Sequence, residues 1–140
     1  MNTGAVRRWV TDYLGIDIRS LAFLRVSLAL ILIYDLCNRL RDLRAHYTDF
    51  GLLPRSTLIG QFSEEYFLSV HTMGGTTFSQ LIVFGLAMVC APAMLVWFRT
   101  RIATFLSWFL LCSVHARNPL ILQAGDELFR MLLLFSAFLP

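Results

Sequence analysis

The chain has 140 residues, of which 57% are hydrophobic and only 15% charged, with a formal net charge of +3. A soluble domain usually carries about 25% charged residues, so composition excludes an ordinary soluble domain, and the length allows one domain at most. All twelve basic residues are Arg, which excludes a Schiff-base lysine or a lysine general base within these residues, and the modest, scattered positive charge fits membrane topology and anionic-lipid contact rather than nucleic-acid binding.

Val6, Trp9, Val10, Tyr13 and Leu14 fall on one helical face, with Arg7, Arg8, Thr11 and Asp12 opposite. This spacing predicts an amphipathic interfacial helix over residues 1–16, with Trp9 and Tyr13 at headgroup level. Residues 1–19 lack a contiguous apolar core of the signal-peptide type, so the first hydrophobic segment is expected to stay as an internal anchor.

A first span is predicted over about 20–37, holding Arg25 and Asp35, followed by an amphipathic extension through Leu40, Leu43 and Tyr47. Turn residues around Thr48–Gly51 and Pro54 end it. A short surface helix is expected over about 62–70, and Gly74-Gly75 breaks it. Residues 81–98 contain no charged, amide or hydroxyl side chain, the length of a membrane-crossing helix. The second span is therefore placed at 77–98, with a kink at Pro92. A third, short span follows at 102–115, and a fourth starts at 127 and runs to 140. The predicted fold is an all-α polytopic transmembrane helical bundle: three full spans, a truncated fourth and the interfacial helix. Residues 17–140 form its membrane domain. The chain is expected to be a piece of a larger membrane protein.

Arginines do not orient this topology by number. Arg7, Arg8, Arg19, Arg99 and Arg101 fall on one side, and Arg39, Arg41, Arg44, Arg55 and Arg117 on the other. The tight hairpin carrying Arg99 and Arg101 places the N-terminus inside, because short loops weigh most.

Cys37, Cys90 and Cys112 are isolated, without a redox or zinc spacing, and are expected to pack as small apolar groups. No metal site is expected. Arg25 either pairs within the bundle or snorkels to the interface. Asp35 is positioned to meet Arg39 four residues on. The richest polar group is His115, Arg117 and Asn118 before Pro119, then Asp126 and Arg130. Pro119 should leave Arg117 and Asn118 on non-helical backbone near membrane depth, tolerated only where it is buried or lines a wet cavity. Asp126 suits the start of the fourth helix and has the spacing to pair with Arg130. His115 is the local candidate proton carrier. The opposing reading is a structural loop whose polar groups satisfy one another. His46 and His71 are read as having no catalytic role.

The runs Phe23-Leu24-Arg25, Tyr34-Asp35-Leu36 and Ala45-His46-Tyr47-Thr48-Asp49-Phe50-Gly51-Leu52-Leu53-Pro54-Arg55 resemble the HTTM (horizontally transferred transmembrane) domain family, shared by bacterial membrane proteins and vitamin K-dependent gamma-carboxylase. Phe98-Arg99-Thr100-Arg101, Ser113 to Pro119 and Gly125 to Arg130 are similar to it as well, so the resemblance covers the chain from about Ser20. It implies a larger helical domain in the cell inner membrane or plasma membrane. In the carboxylase, reduced vitamin K becomes the base that deprotonates a substrate glutamate before CO2 adds. That enzyme's lysine base has no counterpart in a chain without Lys. If the intact protein is an enzyme, the expected site has His115, Arg117, Asn118 and Asp126 as the catalytic set, and Arg25 and Arg130 as substrate-binding. Reduced vitamin K or another quinone is the cofactor the resemblance suggests, membrane lipids and a secreted peptide the partners. The alternative is a non-enzymatic membrane module that assists maturation or export of a secreted peptide.

Overall fold

The computed structural model describes residues 18–62, 69–96 and 99–139, and among these there is no strand. Six α-helices follow in order: α1 Ile18–Arg41, α2 Leu43–Tyr47, α3 Arg55–Phe62, α4 Thr77–Leu95, α5 Thr100–Arg117 and α6 Ala124–Phe138, with 3₁₀ turns at Val70–Thr72 and Pro119–Ile121. The interfacial helix expected over 1–16 lies outside the described residues, as does most of the surface helix expected over 62–70. A short helix stands earlier instead, immediately after Pro54, which ends the preceding loop and leaves α3 to start at Arg55.

The long helices form a ring in which α1 packs on α4, α4 on α5, α5 on α6, and α6 back on α1. α1 is 24 residues long, about 36 Å at 1.5 Å per residue. It lacks Gly and Pro, and Leu21, Arg25, Leu28, Ala29, Leu32 and Leu36 make its buried stripe. Phe23, Leu30, Ile31 and Tyr34 point outward on the same helix, so it is apolar on every side. α4 starts where Thr76 Oγ1 accepts from Ser79 N at 3.2 Å, the usual side-chain satisfaction of a free helix N–H. Its buried face is Gln80, Phe84, Ala87, Cys90, Ala91 and Met94. Pro92 is tolerated near its end, where the chain turns at Val96. Arg99 then takes a left-handed conformation with φ 43°, which starts α5 abruptly.

Two of these helices, Arg19–Arg41 and Thr77–Leu95, are long and apolar enough to cross a membrane. The other two correct the expected boundaries. α5 spans 18 residues rather than fourteen or fewer, because Thr100 and Arg101 join its start and Ala116 and Arg117 its end. Thr104 Oγ1 donates to Thr100 O at 2.7 Å. α6 begins at Ala124 rather than Glu127, with Gln123 as cap, and covers 15 residues.

Exposure runs against the pattern of a soluble protein. Phe78, Leu81, Ile82, Leu86, Val89, Phe105, Leu128, Met131, Phe135 and Phe138 face outward, while Arg25, His71, Gln80, Ser107, Ser113, His115, Arg117 and Ser136 are buried. Soluble monomers rarely expose contiguous apolar surface beyond a few hundred Å². This distribution, with the two membrane-length helices, supports membrane association.

Candidate functional site

The antiparallel ring gathers the last turns of α1 and α5 and the first turns of α4 and α6 at one end. Residues 42–62 and 69–76 pack over that end, and polar groups anticipated from His115 to Asn118 lie against them.

Arg117 is the largest wholly buried side chain. It is the final residue of α5 rather than part of a loop; only Asn118 leaves the helix. Its Nη1 donates to Leu53 O at 2.9 Å and its Nη2 to Asp49 Oδ1 at 3.3 Å. Asp49 also accepts from Arg55, at 3.1 Å from the backbone N and 2.7 Å from Nε, and its own N–H donates to Gly75 O at 2.9 Å. The carboxylate lies so close to Gly75 that any Cβ there would overlap it. Asn118 Nδ2 donates to His46 O at 3.1 Å, and its Oδ1 accepts from Leu120 N at 3.3 Å. Arg117 and Asn118 thus bind backbone of the 45–55 loop to the end of α5.

His71, expected from sequence to be a bystander, is fully buried in the same assembly. Its Nδ1 and its backbone N both lie 3.0 Å from Ser113 Oγ, and Ser69 Oγ donates to Ser113 O at 2.7 Å. Burial, with the nearby Arg117 charge adding to it, pushes its imidazole down to about 4 from the ordinary 6.5. Phe84 stands edge-on between His71 and Tyr47, 5.2 Å from each ring.

Tyr47 links this half to the second. Burial raises its phenol above the ordinary value, the neighbouring Arg39 charge opposing. Arg39 is the hub: Nε meets Asp35 Oδ2 at 2.7 Å, Nη1 meets the Tyr47 hydroxyl at 3.0 Å, and Nη2 meets Asp126 Oδ1 at 3.0 Å. The second Asp126 oxygen accepts from Gln123 N at 2.9 Å, closing a capping box at the start of α6. His115 Nε2 lies 3.9 Å from Asp126 Oδ1, too far for a hydrogen bond. His115 is wholly buried, and neither ring nitrogen has a hydrogen-bond partner. A buried polar side chain without a partner costs free energy that folding alone does not recover.

Beside this cluster, α1 and α6 leave a groove of about 340 Å³, lined by Leu28, Ile31, Leu128, Phe129 and Leu132 and closed at its polar end by Asp35, Gly125 and Asp126. The carboxylates face the groove and Arg39 stands behind them.

The anticipated residues do not all converge. His115 and Asp126 meet, and Arg117 and Asn118 lie at the same end within the loop clamp. Arg25 does not join them. It sits near the other end of α1, some ten residues or ~15 Å before Asp35, and its Nη2 donates to Ser136 O at 3.3 Å and Leu139 O at 2.7 Å. It holds the C-terminal carbonyls of α6, a favourable place for a cation, and does not snorkel. Arg130 pairs with Glu127 rather than with Asp126, whose carboxylate is already taken by Arg39. Asp35 and Arg39 pair as their spacing predicted.

A quinone oxygen needs hydrogen-bond donors. The guanidiniums of Arg39, Arg117 and Arg25 bind carboxylates, a phenol or main-chain carbonyls, while Arg25 Nε and Arg117 Nε stay buried without a partner. None of them, nor His115, lines the groove, whose side chains offer no donor among the described residues.

Arg39, Tyr47, Asp49 and Ser113 form the site without being expected to from sequence. Arg39 had one signal, its position four residues after Asp35; the long-range partners had none without the fold. Comparison with family descriptions, with curated proteins and with solved structures finds no match.

Proposed function

We propose that the chain is a multi-pass membrane unit of the HTTM type whose four long helices cross the bilayer. The end carrying Arg19, Arg99 and Arg101 faces the cytoplasm. The opposite end binds a ligand that enters sideways from the bilayer through the α1–α6 groove. One observation carries this reading: a partnerless, wholly buried His115 stands beside Asp126 where a membrane-facing apolar groove ends. Ionisable groups at membrane depth are costly and mark ligand or proton pathways. In this arrangement Asp126 orients the ligand head and His115 is the group placed to exchange a proton with that carboxylate.

The motif runs from Phe23 to Arg130 support the kinship with HTTM proteins and gamma-carboxylase. The groove's lining offers no side-chain donor for a quinone oxygen among the described residues, so the proposed ligand is not assigned as a quinone. A second reading, a non-enzymatic module assisting maturation or export of a secreted peptide, is favoured by Arg25, Arg117 and Asn118 all holding main-chain carbonyls.

Native mass spectrometry of the protein purified in a neutral maltoside detergent tests the ligand-site reading. Wild type is expected to retain a lipid-soluble molecule that Gly125→Phe does not, since a side chain at Gly125 enters open space beside the groove. Equal occupancy in both would contradict it.

A further inference from the structure

The groove's polar end carries an unbalanced charge. Asp35 and Asp126 share a single guanidinium, Arg39. Glu127 and Arg130 of α6, the latter partly buried toward Cys112 of α5, cancel each other, and Tyr47 is a neutral phenol. With the His115 imidazole neutral, the groups facing one another from α1, α2, α5 and α6 sum to two negative charges and one positive. Asp35 Oδ2 is taken by Arg39 Nε, and its Oδ1 has no donor among the described residues. Both carboxylates line the groove, whereas Arg39 does not. An unbalanced carboxylate beside apolar side chains is costly and favours a positive partner.

Resting on the ligand-site reading above, we infer that the α1–α6 groove selects amphiphiles with a cationic, hydrogen-bond-donating head, of the primary-ammonium class, and an apolar tail. The ammonium supplies the missing positive charge between Asp35 and Asp126. The tail runs along Leu28, Ile31, Leu128 and Leu132, a path of about seven residues, ~10 Å, on α1. His115, buried without a partner and 3.9 Å from Asp126 Oδ1, stands off the groove's lining, behind the carboxylate that meets the ammonium. Charge selection separates this class of ligand from sterols, quinones and fatty acids, which fit the apolar lining equally well.

Three photoreactive probes with one alkyl chain and different heads test it: a primary amine, protonated at neutral pH, the matching alcohol, and the matching carboxylic acid. Each is irradiated with the full-length protein in neutral maltoside detergent, and labelled peptides are mapped by mass spectrometry. The amine is expected to label residues 28–35 and 125–132 about tenfold more than the alcohol, the scale of one partly buried ion pair, and the acid least. Gly125→Phe should abolish that labelling, and Asp35→Asn should bring the amine down to the level of the alcohol. Equal labelling by amine and alcohol, blocked by Gly125→Phe, would overturn charge selection and leave the ligand-site reading standing. Absence of groove labelling by any probe would overturn both. Amine labelling that survives Gly125→Phe would overturn the inference, because the label would then lie outside the groove.

Discussion

Arg39 Nη2 lies 3.0 Å from Asp126 Oδ1, joining residues 87 positions apart in the chain. This contact, not the i,i+4 pair of Asp126 with Arg130, fixes the first turn of α6 against the last turn of α1. Asp126→Ala removes it together with the cap on Gln123, and leaves Arg39 with half its anionic surroundings. The cost should be about 2–4 kcal/mol, read as a lowered unfolding midpoint in detergent. Arg39→Met combined with Asp126→Ala should cost clearly less than the sum of the two single changes, since each alone strands the other's charge. Strict additivity would mean that the pair is not coupled.

Gly75 and Gly85 make a matched pair of probes. A Cβ at Gly75 overlaps the Asp49 carboxylate, whereas one at Gly85 meets open space. Gly75→Ala should break the Asp49–Arg117 clamp and sharply reduce folded yield. Gly85→Ala should be neutral or up to ~1 kcal/mol stabilising, as a helix interior favours Ala. Similar yields for the two variants would show that Asp49 is not held where Gly75 presses on it.

His71 makes stability depend on pH with a definite sign. Its folded-state value, about 4, lies below the 6.5 of an ordinary imidazole, so the unfolded chain takes up the proton first. Its contribution is fully present above pH 6.5 and is lost as pH falls from 6.5 toward 4, by about 3 kcal/mol in total. Below 4 both states are protonated and the loss levels off. Carboxylates titrate in part of the same range, so the difference between wild type and His71→Gln isolates the imidazole. Wild-type unfolding midpoints should fall more steeply than those of the variant across this window. Parallel curves would contradict the buried, neutral His71.

Much of the helical frame is legible in the sequence, because long uncharged apolar runs can hardly be anything else: α1 and α4 fall within a few residues of their expected positions. α5 comes out too short from sequence because Arg101 and Arg117 look like interface residues, whereas Arg117 is met by the loop packed upon the helix end; α6 comes out three residues late because its cap, Gln123, gives no strong signal. The site is half legible. Asp35–Arg39 follows from helical spacing, and Asp126 from its place at a helix start. That Arg39 would choose Asp126 depends on how α6 packs against α1, and that Arg117 would reach Leu53 and His71 would bury itself against Ser113 depends on how residues 48–54 and 69–72 pack on the bundle. Helical periodicity says nothing of that. Arg25 is misplaced by sequence for the same reason: its partners are backbone carbonyls at the far end of α6, which carry no sequence signature.

The proposed four-span topology puts Leu52 and Leu120, both well exposed, on one side of the bilayer and Arg101 on the other. After replacement of Cys37, Cys90 and Cys112 by Ala, the variants Leu52→Cys, Leu120→Cys and Arg101→Cys can be labelled in intact cells with a membrane-impermeant maleimide. Leu52→Cys and Leu120→Cys should react from outside, and Arg101→Cys only after the membrane is opened. Reaction of Arg101→Cys and Leu52→Cys from the same side would contradict a four-helix unit that spans the membrane with its polar site at one end.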